Sequence, residues 1–241
     1  MIVERSGGFR RARDYGEAVA LECGHGTESA AEPPEFEEIY ACAGADFGAV
    51  PWAMLAAHPV LVDWLDEHSP ATGRSGLVVG CGLGDDAEEL ADRGYRVSAF
   101  DLSPTAIDWC RRRFAASTVK YQVADLFCLP ASLRAHFDLT VEINTLQSLP
   151  PQQRTAAMAA IAQTVRPGGR VFVRCLARDD DEAVGSRPWP VSRAELQGFR
   201  TAGLHELEVR DDIPGRTGSR CFRAIYQRPP QEARPWIDPS S

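Results

Sequence analysis

The chain has 241 residues, 44% hydrophobic and 25% charged, with a net charge of −8. That size suits one globular domain with a sizeable core and room for appendages. The acidic balance disfavours nucleic acid as the main partner, because such binders present a basic face to phosphates.

The seven cysteines, Cys23, Cys42, Cys81, Cys110, Cys128, Cys175 and Cys221, form no C-x-x-C pair, and several fall in apolar runs. They read as reduced, mostly buried thiols. Cys23 and His25 lack a second pair at metal-site spacing, so no metal is expected. No signal-peptide core and no run of membrane-span length is visible, which predicts a cytoplasmic protein without a membrane partner.

Residues 1 to about 33 are rich in Gly, Arg and Glu, with one weak helical patch over 15–21. Pro33-Pro34 precedes a short predicted helix over 35–42. Residues 1–50 read either as a mobile arm or as a lid over a ligand pocket. Trp52, after Pro51, reads as a packing anchor or a pocket wall. Val60, Leu61, Trp64 and Leu65 recur at helical spacing behind Pro59, which suits a first helical turn.

From Arg74 strands and helices alternate. A strand over 74–80 is followed by a helix to about 93, stopped by Gly94. A strand over 96–100 ends at Asp101. Ser103-Pro104 opens a helix with Ala106, Ile107 and Cys110 on its apolar face, and the run Arg111–Arg113 reads as its solvated end. Strands follow over 119–123 and 137–142, then a helix from Pro150-Pro151 to 165. Pro167-Gly168-Gly169 turns into a strand over 170–176. A polar loop covers 179–190, then a helix 192–201 and two alternating runs, 206–210 and 221–226. The fold class is α/β: a Rossmann-like, doubly wound, mostly parallel sheet with an antiparallel C-terminal edge hairpin. The core domain spans 51–228, and 229–241 is a tail.

The stretch that carries chemistry is Leu77-Val78-Val79-Gly80-Cys81-Gly82-Leu83-Gly84-Asp85-Asp86. A buried strand that turns through glycines into an acidic-start helix leaves backbone N–H groups facing a pocket with no Cβ in the way. Asp101, 21 positions after Gly80, is spaced to reach ribose hydroxyls from the end of the second strand. A purely structural glycine turn is the plainer alternative. A dinucleotide fingerprint wants glycine where Asp85 stands, and no Gly-Lys-Ser/Thr follows, so the pocket looks built for a nucleoside without pyrophosphate.

Taken in order, Gly80-x-Gly82-x-Gly84, Asp101, Ala124-Asp125, Phe137-Asp138 to Leu149 and Pro167-Gly168-Gly169 resemble the class I S-adenosylmethionine-dependent methyltransferases. The resemblance covers 51–226. Pro51-Trp52, 142–149 and Pro188-Trp189-Pro190 resemble small-molecule enzymes of the thiopurine methyltransferase-like branch. The resemblance implies S-adenosyl-L-methionine as cofactor, S-adenosyl-L-homocysteine as product, and a small-molecule acceptor methylated at S, O or N. It implies that Gly80, Cys81 and Gly82 pass under the methionine part and that Asp101 accepts from both ribose hydroxyls. Leu102 would stack on adenine, Asp125 would accept from its amino group, and Leu126 would offer a backbone contact. Glu142 would sit beside the methionine amino end.

Two departures are informative. Val78 stands where many members carry an acid, and Glu142 is the expected compensation. Glu142-Ile143-Asn144-Thr145 replaces the Asn/Asp-Pro-Pro-Tyr/Phe of nucleobase-amino and glutamine methylating branches. Asn144, Gln147, Arg178, Asp180 and Trp189 lie past strand ends, where α/β sheets place ligands; each also reads as a solvated loop residue. His58 and His136 read as structural. No catalytic residue is assigned. The rival readings are an NAD-dependent oxidoreductase and a non-catalytic S-adenosylmethionine-binding protein. A monomer or a homodimer is expected.

Overall fold

A computed structural model describes residues 36–44, 46–68, 72–212 and 219–231. The helical patch expected over 15–21 lies outside them. Helix α1 (Phe36–Ala43) and α2 (Pro59–Asp66) precede the sheet. Then follow β1 (Ser75–Val79), α3 (Asp85–Asp92), β2 (Arg96–Asp101), α4 (Pro104–Arg113), β3 (Lys120–Val123), β4 (Phe137–Ile143) and α5 (Pro151–Thr164). The chain continues with β5 (Val165–Arg178), β6 (Val191–Ser192), α6 (Gln197–Thr201), β7 (His205–Asp212) and β8 (Cys221–Gln227).

The sheet runs β3-β2-β1-β4-β5-β8-β7. From β3 to β5 the pairings are parallel. β8 inserts antiparallel between β5 and β7, which makes the expected C-terminal hairpin. Successive strands β1, β2 and β3 build outward one way and β4 and β5 the other. The connections on the two sides of β1 therefore diverge above it and leave a crevice at its C-terminal end.

Both faces of the sheet are covered, as parallel strands require. Leu77, Val79, Val171 and Val173 pack with Met158 and Ile161 of α5 and Phe199 of α6. Val78, Val141 and Phe172 pack on the other face with Leu61 and Trp64 of α2, Leu90 of α3 and Ile107 of α4. Complete burial of the Leu77-Val78-Val79 run explains why it reads as continuous rather than alternating. A third, smaller cluster joins Tyr40 of α1 to Val50, Leu83, Ala106 and Trp109.

Three expectations change. The helix expected over 192–201 is shorter. Val191 and Ser192 instead pair with Ala177 and Arg178 of β5, and only Gln197–Thr201 is helical. The cause is Glu195, whose carboxylate accepts from Ser192 N at 2.7 Å and holds Arg178 at 2.8 Å, fixing a turn. Pro167-Gly168-Gly169 does not separate helix from strand. β5 already pairs at Val165 with Phe137, and the register shifts beyond it. A Cβ on Gly169 would lie 2.6 Å from the Phe137 carbonyl, so the irregularity depends on that glycine. The run Arg111–Arg113 is not simply solvated: the Arg113 side chain is only 12% exposed and turns inward.

Arg154, on α5, is 1% exposed. Its guanidinium meets Glu195 at 2.6 Å and donates to the carbonyls of Leu146, Pro190 and Trp189. It clamps the loops after β4 and β5 to α5. Removing one partner of a buried pair strands the other, so Arg154→Ala is expected to cost about 3–5 kcal/mol. Urea unfolding measures this; a loss below about 1 kcal/mol would show that the clamp is dispensable.

Candidate active site

The site starts where β1 stops. Gly80, Gly82 and Gly84 all have positive φ (59°, 52° and 89°), a region that side chains with a Cβ resist. A Cβ on Gly80 would lie 2.5 Å from Thr145 Oγ1, and one on Gly84 2.7 Å from the Tyr121 hydroxyl. The loop is held from below. The Cys110 thiol donates to the Gly82 carbonyl at 3.2 Å, and the Cys81 side chain is buried next to Cys110. Arg113 grips both oxygens of Asp85 and the Leu83 carbonyl.

Asp101, at the end of β2, is 8% exposed. Its two oxygens accept from Gly82 N and Ser103 N, each at 2.9 Å. Burial pushes its carboxyl up, and the N–H groups of Ser103, Gly82 and Leu102 pull it back. Glu37 of α1 then takes the hydroxyls of Ser103 and Thr105. Helix α1 is thereby tied to the end of β2. Tyr40 and Trp52 lie over the glycine loop, hydrogen-bonded to each other at 3.1 Å. A Cβ on Gly82 would meet the Tyr40 hydroxyl at 3.3 Å and Trp52 Nε1 at 3.9 Å. Trp52 is thus both a packing residue, edge-on to Phe36 and Tyr40, and part of the cover.

Beyond β2 and β3 the apolar side chains of Leu102 and Phe127 are 58% and 46% exposed. Asp125 is exposed and caps a single 3-10 turn by accepting from Phe127 N at 2.8 Å. The Leu126 side chain belongs to the core. These residues line one side of the β1 strand end.

The other side is the loop after β4. Glu142 is fully buried. Its Oε1 accepts from Leu146 N at 2.9 Å, and Oε2 has no partner among the described residues. Burial moves its carboxyl from the ordinary 4.5 to about 7, outweighing the N–H groups of Leu146 and Thr145 and the charge of Arg174. It faces the core and organises the loop. Asn144 sits at φ 66° and its amide oxygen accepts from Arg174. Among the expected acceptor contacts, Gln147 is occupied with Leu176 N at 2.6 Å. Arg178 holds Glu195 and the carbonyls of Asp179 and Glu182. Asp180 caps Ala194 N at 2.8 Å. These three build loops. Trp189 stands under Arg187, whose guanidinium also covers Phe36, so the loop after β5 touches α1. His136 is exposed at the far end of β4.

His58 caps α2, its ring accepting from Val60 N, while its backbone N–H donates to Asp86 at 2.7 Å. Burial, then the Arg174 charge, lower His58 to about 4, and burial raises Asp86 to about 6. A cavity of about 300 Å³ lies elsewhere, beside β7, lined by Arg178, Asp179, Asp211 and Arg220. Its charges neutralise one another in Arg220–Asp179 and Arg220–Asp211 pairs. Sequence reasoning passed over Glu37, Tyr40, Arg113 and Arg174. Only Arg174 left a signal, a charge inside the apolar run from Val171 to Leu176.

A family model described as a methyltransferase domain matches residues 77–169. In structure, the chain superposes on 1,6-didemethyltoxoflavin-N1-methyltransferase of Burkholderia thailandensis, solved with S-adenosylhomocysteine. The TM-score is 0.62 at 19% identity, over 83% of this chain and 93% of that one. The fold is that of the class I methyltransferases. The same fold matches the cyclase SpnF with a TM-score of 0.61 at 18% identity, over 71% of this chain and 81% of that one. In sequence, part of the chain is similar to ubiquinone biosynthesis O-methyltransferase of Azoarcus sp. (strain BH72). The two are 36% identical over 124 residues, 51% of this chain and 52% of the relative. The chain thus spans about half the length of the curated relatives it matches. No helix among the described residues is long and apolar enough to cross a membrane.

Two predictions follow from this geometry. Gly80→Ala adds left-handed strain, about 1–2 kcal/mol, to the contact with Thr145. Thr145→Ala removes the contacting oxygen, so the pair should couple by about 1 kcal/mol or more in a double-mutant cycle; simple additivity would refute the contact. Glu142 is the second. The folded state holds this proton more tightly than the unfolded chain does. Its stabilising contribution is therefore complete below pH 4.5 and lost as pH rises through about 7. Glu142→Gln should gain about 3 kcal/mol on the wild type between those limits in urea unfolding. Parallel stability profiles for the two proteins would contradict this.

Proposed function

We propose that the protein is an S-adenosylmethionine-dependent methyltransferase acting at S, O or N of a small molecule. The observation that carries this reading is the pairing of Asp101 with the glycine loop. A buried carboxylate stands beside three left-handed glycines at the end of β1, and its oxygens, which accept from the backbone N–H groups of Gly82, Ser103 and Leu102, keep acceptor capacity for a further donor. That set fits a nucleoside: acceptor capacity for ribose hydroxyls, a backbone without Cβ for close approach, and exposed apolar surface at Leu102 for a base.

In this reading Gly80, Cys81 and Gly82 offer backbone to the methionine part, Asp101 holds the ribose, and Leu102 covers adenine. Asp125 accepts from the adenine amino group, and Leu126 N–H lies at its edge. Glu142 acts through the loop it holds, because its carboxylate faces the core. When bound, the cofactor supplies an electrophilic methyl on a positively charged sulfur. The chain's own work is to align the acceptor and exclude water. Helix α1 with Tyr40 and Trp52 serves as the cover, which favours the lid reading of the N-terminal segment. The aromatic cover and Trp189 support a small acceptor, as in the thiopurine methyltransferase-like branch. The relatives' names favour oxygen as the acceptor atom.

The fold alone also suits other chemistry, as its match to a cyclase illustrates, so ligand binding is the test. Calorimetry on the full chain should give heat with S-adenosylmethionine and S-adenosylhomocysteine and none with NAD. Asp101→Ala should weaken S-adenosylhomocysteine by about 30-fold or more, about 2 kcal/mol, with far-UV circular dichroism unchanged. A folded wild-type sample that binds neither adenosyl compound would overturn the reading.

A further inference from the structure

Arg174 lies on β5 with 6% exposure. A guanidinium buried to that degree normally has a carboxylate. Arg174 has none among the described residues. It donates to the Asn144 amide oxygen and to the Cys221 sulfur, the latter at 2.8 Å, and both partners are neutral. Its Nε has no partner among the described residues. The neighbouring strands increase the charge rather than cancel it. Arg223 on β8 stands directly opposite Arg174, and Arg210 on β7 directly opposite Arg223. Opposed residues share a face, so three arginines form one row across the hairpin. Arg223 is also 6% exposed, and its Nε is also without a partner among the described residues. One carboxylate, Glu208, serves both Arg223 and Arg210. Glu142 feels the charge of Arg174 but makes no ion pair with it: it pairs with Val173, which puts it on the opposite face.

Among the described side chains the row therefore carries two positive charges more than its one carboxylate neutralises. Burial first, and then the charge of Arg174, depress the basicity of His58. Position indicates what the missing anion belongs to. β5 is two strands from β1, about 10 Å, on the side away from Asp101. Arg174 is bonded to Asn144, the first residue of the loop after β4, and the row continues outward from there. An anion seated on it lies past the methionine end of a molecule held by Asp101 and the glycine loop.

We propose that the methyl acceptor is a small organic carboxylic acid whose carboxylate is received by Arg174, with Arg223 behind it; this rests on the methyltransferase reading above. Arg174 is then a specificity-determining residue, and the carboxylate supplies the partner that its buried Nε lacks.

The test is calorimetry on the full chain saturated with S-adenosylhomocysteine. The probes are aliphatic and aromatic carboxylic acids, including hydroxybenzoates, each paired with its amide. At least one acid should bind ten times more tightly than its amide. Arg174→Gln should abolish that ratio, Arg174→Lys should retain part of it, and both should bind S-adenosylhomocysteine within twofold of wild type. Absence of any acid-over-amide preference overturns the proposal. So does a selective loss of S-adenosylhomocysteine binding in Arg174→Gln with 5′-methylthioadenosine binding unchanged, since the arginine then holds the cofactor's own carboxylate. A folded wild type that does not bind S-adenosylhomocysteine removes the methyltransferase reading first and takes this proposal with it.

Discussion

The candidate site depends on one buried carboxylate that joins two strands. Asp101 accepts from Gly82 N and Ser103 N, so the turn after β1 and the turn after β2 are held in one geometry. Bonds to an ionised acceptor contribute about 1.5–3 kcal/mol each, enough to offset much of the cost of burying the charge. Ser103 passes the constraint on to Glu37, and Glu37 belongs to α1. A segment remote in sequence is thereby fixed over the glycine loop by three short-range polar contacts.

The two sides of the strand-end crevice differ in charge. Asp101, Asp86 and Glu37 gather on the β1–β2 side. Arg174 and Arg223 gather on the β5–β8 side. A cationic cofactor and an anionic acceptor suit this division, since each is attracted to its own end and repelled from the other. The antiparallel hairpin supplies the basic end. It completes the sheet and also brings Arg223 and Arg210 into line with Arg174.

Several polar side chains that hold the site are invisible to pattern reasoning because their partners are backbone carbonyls or distant acids. Arg113 looks like the last turn of a solvated helix, yet it reaches back to Asp85 and the Leu83 carbonyl. Arg154 looks like an exposed residue near a helix start, yet it is almost fully buried under two loops. In both, the aliphatic stem packs while the head satisfies groups that a loop would otherwise leave unpaired.

The order of strands and helices from Arg74 to Leu176 was legible in the sequence. Periodicity and glycine or proline punctuation are local, and buried parallel strands are continuous apolar runs. The glycine loop and Asp101 were legible for the same reason: positive φ needs glycine, and the acid follows at the end of the next strand. The strand pairing of Val191 and Ser192 was not legible, because Glu195 overrides the helical pattern from a turn. The cover of Tyr40 and Trp52, the inward turn of Glu142 and the arginine row were decided only by tertiary structure. Each depends on which strand lies beside which and in what register, a relation between residues tens of positions apart that no local pattern encodes.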